Sequence, residues 1–258
     1  MPAGARLARK VPEVTLYFWI IKLLTTAMGE STSDYLVYRI DPVVAVVLGA
    51  MALVAALALQ LVVRRYIAWV YWLAVVMVAV FGTMAADVLH IRLHVPYDVS
   101  TALFGVSLVI IFVVWYRTER TLSIHSITTP RRELFYWATV LATFALGTAA
   151  GDMTAVTLHL GYLTSAVVFT IVIAVPAVAY YTVHLNEIVA FWFAYIITRP
   201  VGASFADWMG VAHRLGGLNM GRATVSAILT VLIVALVGYL TVTRLDVADA
   251  AVAAAAAP

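Results

Sequence analysis

Residues 18–34 read FWIIKLLTTAMGESTSD, and the same frame returns three more times. The other copies are YWLAVVMVAVFGTMAAD at 71–87, YWATVLATFALGTAAGD at 136–152 and FWFAYIITRPVGASFAD at 191–207. In each, a Trp is followed ten residues later by a Gly and five residues after that by an Asp. The sets are Trp19, Gly29, Asp34; Trp72, Gly82, Asp87; Trp137, Gly147, Asp152; and Trp192, Gly202, Asp207. Each Trp follows another aromatic residue (Phe18, Tyr71, Tyr136, Phe191), and each Asp follows a small or hydroxylated one (Ser33, Ala86, Gly151, Ala206). The Gly-to-Gly steps are 53, 65 and 55 residues. A spacing held four times without slippage is an internal repeat.

Composition says where such a repeat lives. The chain is 64% hydrophobic and only 11% charged, with a mean hydropathy of +1.02. A soluble chain of 258 residues must also cover its surface and does not carry that much apolar residue. The reading is an all-α integral membrane protein. Its net charge of +3 does not point to nucleic acid, because the basic residues sit in short clusters at the edges of apolar runs. There is no cysteine, so disulfides and thiolate metal sites are excluded.

Apolar runs long enough to span a bilayer predict eight transmembrane helices, at 14–37, 43–63, 66–91, 99–116, 133–158, 162–183, 187–209 and 223–242. The first follows a basic N-terminus as a signal peptide would, yet it contains Lys22 and enters the first repeat directly; it is expected to be a retained helix. Asp41-Pro42, Pro96-Tyr97-Asp98 and Gly216-Gly217 with Asn219 mark turns. Pro176 and Pro200 fall inside helices, where a membrane protein tolerates them as kinks. The domain organisation is then a basic segment 1–12, four helical-hairpin repeats at 13–64, 65–125, 126–185 and 186–244, and an alanine-rich tail at 245–258 that is expected to be disordered or frayed. Each repeat crosses twice, so all four run parallel. Ten Arg and Lys residues on the side of the termini against four on the other (Arg39, Arg92, Arg214, Arg222) predict both termini in the cytoplasm.

Fifteen helical residues separate each Trp from its Asp by about 60° around the helix and roughly 22 Å along it. One face therefore carries Trp19, Trp72, Trp137 and Trp192 at the inner end, as a plug or an interfacial belt, and the aspartates at the outer end. Gly29, Gly82, Gly147 and Gly202, each with a small residue four positions on, form small-xxx-small patches that allow close helix packing. Asp34, Asp87, Asp152 and Asp207, joined by Glu30 one turn before Asp34, are the candidates for ion binding or proton carriage; their bland alternative is an outer-end position in wet headgroup territory. Lys22 and Arg199 are the candidate counter-charges, Lys22 either snorkelling to the cytoplasmic surface or held in an interior ion pair, and Arg199 paired with Asp207 or Glu30. Five carboxylates against two cations leave a formal −3, which calls for a bound cation or retained protons. His90, His94, His159 and His213 follow the repeated Asp, and Asp87 with His90 is a weak candidate metal pair. No nucleophile elbow, zincin motif or phosphate loop is present, and no enzyme is predicted.

The stretches at 11–36, 72–89 and 136–155 resemble a family of bacterial inner-membrane proteins of unknown function, known as uncharacterised membrane-anchored proteins and built from four tandem two-helix repeats with a characteristic Trp. The resemblance implies a bacterial multi-pass inner-membrane protein. The expected function is a transporter or exporter of a cation, divalent metal and proton coupling included, through a carboxylate-lined centre. The alternative is a non-transporting scaffold or sensor module. Its partners would be the lipid bilayer and a cation or small solute, with a homo-oligomer compatible and nucleic acid excluded.

Overall fold

A computed structural model describes residues 9–247. Residues 1–8 of the basic segment, and the alanine-rich tail after Val247, lie outside the described residues. Eight long helices are present among them: α1 (Leu16–Arg39), α2 (Pro42–Val62), α3 (Ala68–Ile91), α4 (Tyr97–Glu119), α5 (Pro130–Asp152), α6 (Tyr162–Val183), α7 (Glu187–Gly210) and α8 (Arg222–Thr243). Local chemistry sets their starts. Thr15, Asp41, Thr129 and Asn186 accept backbone N–H bonds at the N-termini of α1, α2, α5 and α7, and Pro42 and Pro130 occupy first-turn positions where no N–H is needed. A π-helical turn, Met153–Thr157, extends α5. Pro176 and Pro200 are both inside helices and buried.

Seven of these helices, α2 to α8, are long and apolar enough to cross a membrane, and the chain is a multi-pass membrane protein. The exception is α1, which carries Lys22, Glu30 and Asp34 yet buries half its residues. Its polar residues are accommodated because α3, α7 and α8 all pack against it.

The odd helices form a closed ring: α1 packs on α3, α3 on α5, α5 on α7, and α7 back on α1. The even helices lie outside, with apolar residues such as Met51, Val54, Val106, Val109, Ile171, Val231 and Val234 exposed to form a lipid-facing belt. Each even helix packs mainly on the odd helix of the following repeat, α2 on α3, α4 on α5 and α6 on α7, and α8 completes the circle on α1. A sequence repeat is therefore not a packing unit: its second helix supports its neighbour.

The repeated residues make this ring. Adding a Cβ to Gly29 would put it 2.6 Å from the Cβ of Ala79; for Gly82 the atom met is Phe144 Cβ at 2.7 Å, for Gly147 Arg199 Cβ at 2.5 Å and for Gly202 Thr26 Cβ at 2.7 Å. Ala79, Phe144, Arg199 and Thr26 all lie seven residues after the Trp of the next repeat in the circle. Aromatic contacts follow the same rule. Phe18 meets Trp72 at 5.8 Å between centroids, Tyr71 meets Trp137 at 5.6 Å, Tyr136 meets Trp192 at 6.2 Å and Phe191 meets Trp19 at 5.8 Å. Equivalent residues meet at equal heights, so the four odd helices are parallel.

At the Trp end the ring is capped by chain segments. Lys10, buried, pairs with the buried carboxylate of Glu133, which also accepts from Gln60 Nε2 at 2.9 Å. Lys10 thus serves as a structural cation rather than a surface topology anchor. The Glu13 N–H donates to Asp246 O at 2.9 Å, and the Tyr66 hydroxyl donates to the Asp246 carboxylate. Both ends of the described chain meet on one face. Burial raises the Asp246 carboxyl above its usual range, and burial together with the Asp246 charge raises the Tyr66 phenol.

Gly82→Ala is expected to destabilise the purified protein by about 1–3 kcal/mol, because the atom it meets is the first atom of a buried Phe side chain and cannot rotate away. Gly238→Ala, which meets nothing within 4 Å, is the control, with an expected melting temperature at or above the parent's in detergent.

Candidate functional site: a charged column on the ring axis

Arg199 is fully buried, and its side chain crosses the ring axis. Its Nη2 donates to Glu30 Oε2 at 2.5 Å, to Thr148 Oγ1 at 2.6 Å and to Thr83 Oγ1, while Nη1 donates to the Thr26 carbonyl at 3.2 Å. Glu30, Thr83 and Thr148 are the residues that directly follow Gly29, Gly82 and Gly147. Three repeats thus present the same position to one guanidinium supplied by the fourth, whose own residue there is Ala203. Four parallel helices bring four equivalent positions to one axis, and an axis has room for only one long side chain. The pair Arg199–Glu30 is one of the two expected for Arg199; Asp207 is not its ion-pair partner.

Lys22 departs from expectation. It is buried, so it does not snorkel, and among the described residues it makes no ion pair. Its ammonium lies 4.0 Å from the ring centroids of both Phe144 and Tyr195. Phe144 also faces the Arg199 guanidinium at 5.3 Å, so one ring serves two cations. Toward the Trp end, the Tyr71 and Tyr136 hydroxyls are 2.5 Å apart, and the nearby Tyr195 hydroxyl has no hydrogen-bond partner among the described residues. Trp72, Trp137 and Trp192 are buried in this aromatic layer and are not an interfacial belt; Trp19 alone is partly exposed.

On the other side of Arg199 lie the aspartates. Asp34, Asp87, Asp152 and Asp207 occupy the same position on the four parallel helices, one turn beyond the level of Glu30, Thr83 and Thr148. Asp207 is buried and the other three aspartates are half-buried. Ser33 Oγ donates to Asp87 Oδ2 at 3.3 Å. Asp34 accepts from Arg222 Nε at 2.5 Å, which adds a third cation that the sequence reading had assigned only to topology. Arg222 also lines a cleft of about 440 Å³ at the aspartate end, beside Tyr35, Tyr38, Arg39 and Arg214. Taken from the end opposite the Trp layer, the column reads: aspartates, Glu30 with Arg199, Lys22, tyrosine hydroxyls.

The histidines after Asp87, Asp152 and Asp207 build turns. His90 Nδ1 bonds the Val95 carbonyl oxygen at 2.9 Å and its ring stacks on Tyr97 at 3.5 Å. His213 Nδ1 bonds the Gly217 carbonyl oxygen at 2.8 Å. His94 and His159 adopt φ of 52° and 56°, the left-handed region that histidine enters more readily than most residues. Among the described residues no group of three or more His, Asp or Glu is disposed as a metal cage, and the Asp87–His90 pair gains no third ligand.

Four tandem segments, residues 17–66, 70–121, 135–185 and 190–246, match the family model described as Repeat of Unknown Function (DUF347). No curated protein and no solved structure matches the chain.

Removing one partner of the Arg199–Glu30 pair leaves a buried charge uncompensated. Arg199→Met and Glu30→Gln are each expected to lower stability by roughly 3–5 kcal/mol, and the double variant by clearly less than their sum. Thermal melts of the four proteins in detergent check this; additive losses would mean that the pair is not coupled. His94→Gly and His159→Gly should both melt no lower than the parent, because glycine accepts their φ without strain.

Proposed function

Because the chain belongs to the family built from the DUF347 repeat, a repeat of unknown function that prescribes no activity, we propose a function from its geometry. The protein is an eight-span membrane transporter of a cation, with protons the cargo that its interior suits best. α1 is the eighth span, tolerated in the bilayer because α3, α7 and α8 pack against it. Both termini face the cytoplasm of a bacterial inner membrane, in keeping with the excess of basic residues on their side.

The observation that carries this reading is the column itself. Each repeat delivers one aspartate to the same end of the axis, and a single guanidinium separates that cluster from Lys22 and the tyrosine hydroxyls. Ionisable groups inside a membrane protein are costly and mark ion or proton paths. Glu30 is the member that faces both sides of the divide. When it is ionised it holds Arg199 across the axis; when it takes a proton from the aspartate cluster, that hold weakens and the guanidinium is free to shift. Lys22, held only by aromatic faces, is the next group able to exchange a proton. Arg199 in this scheme is a gate, Glu30 the group that works it, and the aspartates a proton reservoir at the outer mouth.

A non-transporting scaffold or sensor is the second reading. What favours it is that two of the five carboxylates are already paired internally and the axis is closed by packed side chains at Arg199.

The test is flux into liposomes that carry an internal pH dye, under an imposed potential, with protons, sodium, potassium and manganese offered in turn. The expected outcome is saturable proton or cation movement that falls at least about tenfold in Glu30→Gln and in Asp87→Asn/Asp152→Asn, with folding checked by melting temperature. Absence of flux for every cation in the unaltered protein would turn the assignment to the scaffold. Equal flux in parent and variants would remove these residues from the path.

A further inference from the structure

A groove of about 810 Å³ lies between α1, α6 and α7, near the face where the described chain ends meet. It lies where repeat 3 lacks the aromatic cover that repeat 2 supplies. Trp192 is covered by Phe112 at 5.2 Å and Trp115 at 5.8 Å, and its indole N–H donates to the Leu122 carbonyl at 2.8 Å. Phe112 and Trp115 stand 30 and 33 residues after Gly82. The same count from Gly147 reaches Ala177 and Tyr180, and no insertion intervenes, since α4 and α6 both begin fifteen residues after their glycine. Both residues line the groove. Ala177 therefore stands where repeat 2 places a phenylalanine, and the volume of that missing ring is open. Trp19, the counterpart of Trp192 around the circle, is left half-exposed on the groove wall, and its indole makes no hydrogen bond among the described residues.

We propose that this groove binds a lipophilic organic cation, one that carries aromatic or apolar groups around a quaternary or delocalised positive charge. Three observations select that chemistry. The walls include the rings of Trp19, Phe191 and Tyr180, whose faces attract cations once water is excluded. The ionisable side chains of the lining are Glu13, His125 and Glu187, with no lysine or arginine among them. Glu13 is engaged by Arg9, which leaves Glu187, 74% exposed and paired among the described residues only with His125 at 3.8 Å, as the carboxylate open to an incoming charge. The volume also falls within the range of about 300–1,000 Å³ usual for small-molecule sites. Tyr181, on the lining and exposed on the outer surface of α6, marks a lateral way in from the lipid. The site is separate from the axial column and does not depend on it.

Tetraphenylphosphonium and tetraphenylborate share one shape and carry opposite charges, so their titration into the purified protein by calorimetry is the direct test. The expected result is one saturable site for the phosphonium, at least about tenfold tighter than the borate. Ala177→Phe restores the residue of repeat 2 and should abolish binding while melting no lower than the parent. Ala177→Leu, smaller and easier to accommodate, should weaken it. Glu187→Gln should weaken the phosphonium and leave the borate unchanged. Borate binding as tight as the phosphonium would mark a merely apolar, lipid-filled groove and overturn the proposal. So would undiminished binding in both filling variants, or no binding at all.

Discussion

Four helices can lie against one another around an axis only if their backbones come close, and here the closeness is set by four glycines. Each one admits the Cβ of the next helix at a distance that any side chain of its own would forbid. The rest of the architecture follows from that approach. Because the helices are so near, the positions just after the glycines converge on the axis, where one arginine meets a glutamate and two threonines. The flanking aromatics meet at tilted angles in a continuous layer below, and the aspartates gather above. The symmetry that the glycines impose is broken by the space they leave. Four identical long side chains would not fit on the axis, and Arg199 is the one that fills it.

Much of this was legible in the sequence. The helix limits agree with the observed ones to within about three residues, because Pro, Asp, Asn and Gly punctuate long apolar runs and a membrane leaves few alternatives. The Arg199–Glu30 contact was also within reach, since a buried arginine in an apolar helix must find a carboxylate. Other features depend on distances across the fold that no local pattern reports. Lys10 and Glu133 are 123 residues apart, and Arg222 and Asp34 are 188 apart. Lys22 found aromatic rings in place of an anion, and rings leave no charge signature in the sequence. The histidines that follow the carboxylates carry a second demand invisible in the spacing: His94 and His159 take left-handed backbone angles, and His90 and His213 bond the carbonyls of the loops that follow them.

The offset between repeat and packing also clarifies why the sequence periodicity and the packing differ. A repeat is legible because it is the unit that recurs in the chain. Its two helices barely touch, and the apolar face of the second is complementary to the following repeat. At the junction between the last repeat and the first this complementarity is met by α8 on α1, and the aromatic filling that α4 provides for Trp192 has no equal from α6 for Trp19. The circle is complete in its inner layer and incomplete in its outer one.

The closure of the ring between its first and last helices also sets an order of events during synthesis. α1 leaves the ribosome first, carrying a lysine and a glutamate that lipid does not tolerate well. The arginine that neutralises the glutamate is encoded 169 residues later. At ordinary elongation rates of about 5–20 residues per second, that interval is on the order of ten seconds. Throughout it the founding helix has neither its ionic partner nor its outer support from α8. It must wait at the insertion machinery, or sheltered by α3, until the last repeat arrives. Closure of the ring therefore waits for the last repeat, and a chain halted before residue 199 would leave Glu30 without its ionic partner.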